Sequence, residues 1–363
     1  AVLNGGEILM NYDNFDYDHE RNTDVNRELS GNSGDENYNV SGAKKRFSAV
    51  GFGYMILCVV SLLAANIAAL VSAYFFPELS KETWFMLAVS TLPIYAFGLP
   101  ALWLVIRKEK AEPPKRASFG VGKFFVILII CFGFGYIGSY IGNFLMLLLS
   151  EITGYDYSNN LLSVIDGTNL WVVFLFTVII APIGEEILFR KLLIDRTKKY
   201  GGAISVFVSG LFFGLMHGNL FQFFYAFALG AILAYVYYST GKIWITVVLH
   251  SVINFVGSIL PGLLFNGMDI EAVGSDAEQM LSYFSEHPAQ MLGFIFFGFF
   301  VLFTIVAAPV LLAVFRKKIV FEKEDCQLPK GKALRVAFGN AGMITAVVVY
   351  ILFMVTSVIP LPV

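Results

Sequence analysis

Charge is scarce in this chain. Asp, Glu, Lys and Arg together make up 14% of its 363 residues, against 57% hydrophobic. That is too little polar surface to cover a water-soluble globule of this length. Cysteine is nearly absent as well: Cys58, Cys131 and Cys326 are scattered and have no metal-ligand spacing, which excludes a disulfide framework and a cysteine zinc site. The chain also lacks a Gly-rich phosphate loop, a His-Glu-x-x-His helix signature, a usable internal repeat and a cleavable signal peptide. The net charge of −2 selects no partner, and no nucleic acid is expected among the partners.

Long apolar runs are what the chain has instead, and 36 Phe residues sit among them. A hydrocarbon span takes about 20 mostly apolar residues, so there is room for about nine. Window hydropathy places them at 47–75, 83–106, 121–149, 169–194, 202–218, 220–239, 242–262, 289–315 and 335–358. The fold class that follows is all-α, a polytopic membrane helical bundle with the chemistry-bearing residues in spans four to seven. Residues 1–46 are rich in Asn, Asp and Tyr, a composition that predicts a disordered tail; residues 1–9, ahead of Met10, are set aside as an added segment. The rest divides into three spans over 47–168, a core over 169–262, an acidic outer loop over 263–288 and two last spans over 289–363. In that loop Asp269, Glu271, Asp276, Glu278 and Glu286 read as a solvated connector, and His287 and His19 as incidental.

Basic residues test the count, because Lys and Arg collect in cytoplasmic loops. They crowd Lys44 to Arg46, Arg107 to Arg116, Arg190 to Lys199 and Arg316 to Arg335, with Lys242 in a short connection, whereas 150–168 and 263–288 have none. The amino terminus is therefore predicted inside and the carboxyl terminus outside. At His217-Gly218-Asn219-Leu220 the chain turns at or inside the membrane, where a re-entrant or kinked element is admissible.

A few polar groups interrupt the apolar runs, each costly at membrane depth. Glu185, Glu186 and Arg190 leave the fourth span; Glu186 and Arg190, four apart, share a helical face and suit an ion pair. Glu185 points about 100° away and is left free. His217 follows Phe213 by four, and His250 precedes Asn254 by four. Polar groups in membranes avoid lipid and converge. One carboxylate, two imidazoles and a carboxamide around shared water are sufficient parts for peptide hydrolysis. Glu185 takes a proton from water, His217 holds that water, and His250 with Asn254 donates to the oxyanion. Measured along straight helices, His217 lies ~25 Å from the cytoplasmic end of its span and His250 ~12 Å, so tilt or a kink near Gly214 has to close a gap.

Glu185-Glu186-x-x-x-Arg190, Phe213-x-x-x-His217 and His250-x-x-x-Asn254, in order on successive spans, resemble the CAAX protease and bacteriocin-processing family of intramembrane endopeptidases. The resemblance covers residues 170–262. It implies a glutamate peptidase that uses no metal, with a cavity open toward the cytoplasm. In that scheme Glu185 is the base, His217 its partner, and His250 and Asn254 the oxyanion donors, while Glu186 and Arg190 position the site and Phe213 walls it. Its partners are a membrane-borne peptide or protein and the bilayer, with oligomeric state open. The substrate is a prenylated tail, a secreted peptide's leader or a peptide pheromone, and the setting a bacterial plasma membrane. Three alternatives stand beside this reading: a zinc site on Glu185, His217 and His250, a scaffold or regulator of a partner, and a transporter using Glu185 as a proton site.

Overall fold

The computed structural model describes residues 17–157, 169–264, 277–329 and 331–359, with side chains from residue 40 onward. The expectations for residues 1–9, for most of the 150–168 connection and for Asp269, Glu271 and Asp276 fall outside the described residues. All the regular structure among the described residues is helical. Seven helices are long and apolar enough to cross a membrane, and two apolar helices are shorter. We label these nine α1 (Tyr17–Phe75, apolar from Val40), α2 (Thr83–Ile106), α3 (Val121–Thr153), α4 (Leu170–Tyr200), α5 (Gly202–Met216), α6 (Leu220–Thr240), α7 (Ile243–Leu264), α8 (Pro288–Lys318) and α9 (Ala341–Thr356). The protein is thus an integral membrane helical bundle. Its outer surface carries exposed apolar side chains such as Leu70, Phe296 and Val306, which suit lipid.

Two of the expected spans come out short. The ninth is split into Ala333–Phe338 and α9, because Gly339 ends the first piece and Asn340 caps the second, its side chain accepting from Met343 N at 3.0 Å. Next to that break, a Cβ on Gly342 would fall 1.9 Å from Ser48 O, and one on Gly51 2.3 Å from the Gly342 carbonyl carbon. α1 and α9 therefore touch backbone to backbone, which only small residues permit. The fifth span ends at Met216, since Gly218 takes φ +65° and Asn219 caps α6, its Oδ1 accepting from Gln222 N at 2.9 Å. The chain turns tightly there instead of re-entering.

The expected tail also ends early. α1 is helical from Tyr17, and by residue 43 it is part of the core: Ala43 and Phe47 are fully buried, and Arg46 donates to Lys110 O at 2.7 Å. The packing continues at Phe47, the first residue of the expected span, whose ring lies 6.1 Å from that of Tyr200.

Two packed regions flank the centre. One gathers α1, α2, α4, α5, α6 and α9 around Tyr54, Phe189, Phe212, Tyr237 and Tyr350. The other joins α3, α6 and α7 around Cys131, Leu233 and Leu249, with α8 beside α3. At the end of the bundle that carries the basic connections, two extended segments lie across the helix ends. Residues 107–120 are held by Ala117 N to Thr240 O at 3.0 Å, and residues 319–329 by Leu328 N to Tyr200 O at 3.0 Å. The turn between α6 and α7 lies directly beneath the first of these: a Cβ on Gly241 would meet Pro114 O at 2.6 Å. The imidazoles of His217 and His250 nevertheless both reach the Phe213 ring, at 5.3 and 5.5 Å between centroids.

Candidate active site

The site is built on α4, where Pro182 interrupts the helix just ahead of the glutamates. Proline has no N–H to give to the carbonyl four residues back, and its ring disturbs the preceding turn. The helix is widened to π type over Phe174–Ile180 and again over Ile187–Ile194, with only Ala181–Glu186 in α form between them. Such turns are rare and frequent at functional sites. Inside a membrane the freed carbonyls need donors, and α7 supplies both. Ser251 Oγ donates to Val178 O at 2.7 Å, and Asn254 Nδ2 to Thr177 O at 2.8 Å. Ser258, one turn further on, lies 3.2 Å from Thr177 Oγ1. α4 and α7 are thereby fastened at the level of the break, and His250 is carried to the glutamates.

Glu186 and Arg190 form the ion pair their spacing predicts. Both are fully buried, with Arg190 Nη2 donating to Glu186 Oε1 at 3.1 Å. Nε and Oε2 stand 2.9 Å apart as an ionic contact that is not aligned as a hydrogen bond. The guanidinium also donates through Nη1 to Ser209 Oγ at 2.9 Å, and Ser209 in turn donates to Phe189 O at 2.8 Å. Its remaining face lies over the Phe213 ring, 5.3 Å from the centroid. That ring is a hub: the imidazoles of His217 and His250 lie 5.3 and 5.5 Å from it, centroid to centroid.

His250, 4% exposed, has a carboxylate at each ring nitrogen: Nδ1 is 3.1 Å from Glu186 Oε1, and Nε2 is 3.6 Å from Glu185 Oε2. Since Glu186 as a carboxylate only accepts, Nδ1 carries the proton, and Nε2 faces Glu185. His217 is arranged likewise, with Nδ1 2.8 Å from Phe213 O. A carbonyl also only accepts, so Nδ1 donates and Nε2 of the neutral ring is free to receive a proton.

Glu185 and His217 line one cavity of about 290 Å³, together with Cys58 and Ser61 of α1, Ser90 and Ile94 of α2, and Phe353 of α9. The Glu185 side chain is 15% exposed. It stays in that position because Gly184 leaves room for Tyr95; a Cβ on Gly184 would fall 2.1 Å from the Tyr95 ring. The structure thus gathers Glu185, Glu186, Arg190, Phe213, His217 and His250 around one point. Asn254 is tied to α4, and neither it nor His250 lines the cavity that holds Glu185 and His217. Among the described residues no three His, Cys, Asp or Glu side chains converge as metal ligands would.

Four participants escape a reading for rare charges: Ser209, Ser251, Thr177 and Ser61. Their hydroxyls look ordinary in sequence. Two signals do point to them: Ser209, Phe213 and His217 fall four apart on one helical face, and a proline within a span calls for hydroxyl or amide donors nearby.

The family model described as type II CAAX prenyl endopeptidase Rce1-like matches residues 167–256. No curated protein matches the chain, and no solved structure does. The matched segment runs from the start of α4 to the end of the His250 turn, and over that part the chain is similar to the type II CAAX prenyl endopeptidases.

Proposed function

We propose that this protein is a metal-free intramembrane endopeptidase in which Glu185 activates the attacking water. The observation that carries the reading is the placement of Glu185 and His217 on the wall of one cavity, with His250 Nε2 3.6 Å from the same carboxylate. A water between Glu185 and His217 meets two proton acceptors, Glu185 and the free Nε2. Its oxygen attacks the scissile carbonyl carbon while its proton passes to Glu185. The tetrahedral oxyanion then collapses, the C–N bond breaks, and Glu185 returns that proton to the leaving amine.

Buried pairing explains the supporting residues. Glu186, neutralised by Arg190, orients the His250 ring through Nδ1, as a carboxylate behind a catalytic imidazole does. The other ring nitrogen, Nε2, lies 3.6 Å from Glu185 Oε2, so the imidazole links the buried ion pair to the base. Asn254, whose amide donates to Thr177 O, fastens α7 to α4 and so keeps His250 beside the glutamates. Peptide maturation in a bacterial plasma membrane, on a leader, a pheromone or a prenylated tail, is the role we assign to the activity.

The test uses purified wild type and His217→Ala in lipid nanodiscs against a peptide library. His217→Ala is expected to lower kcat by about 10²-fold or more, the range of a positioned proton acceptor. Cleavage by wild type is expected to continue in excess chelator. Equal rates for the two proteins would remove His217 from the chemistry, and loss of wild-type activity in chelator with recovery on added zinc would turn the site into a metalloprotease. A scaffold that merely retains these residues would cleave nothing in either form.

A further inference from the structure

The widened turn after Glu186 is supported carbonyl by carbonyl. Helices of π type are rare and mostly a single turn long, so the run Ile187–Ile194 needs donors from outside its own ladder. Leu192 O accepts from Arg196 Nη1 at 3.2 Å and Leu193 O from Thr197 Oγ1 at 3.0 Å, both donors being on α4 itself. Phe189 O accepts from Ser209 of α5 at 2.8 Å. Leu188 O, the nearest of the four to the glutamates, accepts from Tyr54 Oη of α1 at 2.6 Å. Arg196, Thr197 and Ser209 lie inside the matched segment 167–256, whereas Tyr54 lies far outside it.

Tyr54 is held in one place. It is fully buried, its ring lies 5.6 Å from that of Phe189 and 5.1 Å from that of Phe212, and its own carbonyl accepts from Tyr350 Oη of α9 at 3.1 Å. One turn back along α1 is Gly51, where α1 and α9 touch backbone to backbone. The hydroxyl is thus mounted on a fixed pair of helices and reaches α4 at Leu188 O. Leu188 is fully buried as well, so no water replaces a lost donor there. A hydroxyl on Leu188 O competes with the amide four residues on, whose bond to that carbonyl defines the α form, and so favours the widened turn. Return to the α form would turn Arg190 relative to the two glutamates. Since Arg190 is pinned by Ser209 and Phe213, the glutamates would take up that rotation.

We propose that Tyr54 is a positioning residue for the reaction: its hydrogen bond to Leu188 O keeps the α4 turn widened and Glu185 aimed into the cavity. α1 and α9, outside the matched segment, are then part of the machinery that places the base. Cys58 and Ser61, four and seven residues further along the same face of α1, line the cavity that holds Glu185. Tyr54 is not among its walls and acts only through α4. The effect on rate rests on the proposed peptidase reading, and the hold on the turn does not.

The experiment uses the full chain in lipid nanodiscs and Tyr54→Phe, which keeps both ring contacts and removes only the hydroxyl. kcat is expected to fall about tenfold or more with KM unchanged, as for a base that is slightly misplaced; an unchanged kcat overturns the proposal. In the Glu185→Gln background the same change is expected to cost nothing further, because no base is left to place. A fall by the same factor in both backgrounds marks a purely structural role and refutes positioning. Tyr54→4-aminophenylalanine restores an N–H donor on the same ring and is expected to recover most of the lost kcat, and absence of recovery counts against the hydrogen bond. A second readout needs no activity. Hydrogen exchange of the Ile187–Ile194 amides is expected to be faster in Tyr54→Phe than in wild type, with exchange in α6 unchanged; equal exchange over Ile187–Ile194 refutes the proposal. If wild type cleaves no peptide, the peptidase reading fails, and the exchange pattern alone still decides whether Tyr54 holds the turn.

Discussion

Glu185→Gln is expected to reduce peptide cleavage by about 10³-fold or more while leaving the fold intact, because the amide keeps the size of the carboxylate but has no basicity with which to take a proton from water. The surroundings tolerate the change. Glu185 carries no share of the buried ion pair, its Oε2 lies 3.6 Å from His250 Nε2, and it lines the cavity. The loss should fall on kcat and not on KM, since the peptide is held by the cavity walls. The measurement is steady-state cleavage by wild type and variant in the same nanodiscs, with thermal unfolding as the check on structure. A variant that unfolds with the wild-type midpoint and cleaves at the wild-type rate would remove Glu185 as the base and leave a helical bundle of unassigned chemistry.

Arg190→Leu is the second large effect, and it is one of stability. The guanidinium is fully buried and neutralises Glu186, which is fully buried too. Removing one partner of such a pair leaves an uncompensated charge and costs about 3–5 kcal/mol. It also frees Ser209 Oγ from Nη1 and withdraws the cation from over Phe213. Leucine restores volume but none of these contacts. The expected result is poor recovery from membranes and a clear fall in the unfolding midpoint. Arg190→Leu with Glu186→Gln is expected to regain part of the loss, since the orphaned charge is gone. Activity is not expected to return with it, because His250 Nδ1 then faces an uncharged amide in place of Glu186 Oε1. A single variant as stable as wild type would contradict the clamp.

Much of this arrangement was legible before any coordinates, and unevenly so. Glu185, Glu186, Arg190, His217 and His250 stand out because charge inside an apolar run has few uses, and a spacing of four fixes which members share a face. The Glu186 to Arg190 pair follows from that spacing alone. Composition is least informative near Ala43 and Arg46, where the local sequence is polar yet Ala43 is buried and Arg46 reaches Lys110 O, far away in sequence. Asn254 shows the limit in another way. Its spacing from His250 suggests a shared task, yet its amide is engaged on Thr177 O because Pro182, 72 positions earlier, left that part of α4 short of donors.

From the order of residues alone come the bundle of membrane helices, the sidedness of its basic connections and the short roster of groups able to do chemistry; each depends on transfer cost and helical period, which are local. Which of those groups meet and which nitrogen of each imidazole holds its proton were decided only by the folded chain. Those properties rest on contacts between helices tens to hundreds of residues apart, such as Ser251 with Val178 and Gly342 with Ser48, and no periodicity within one helix encodes them.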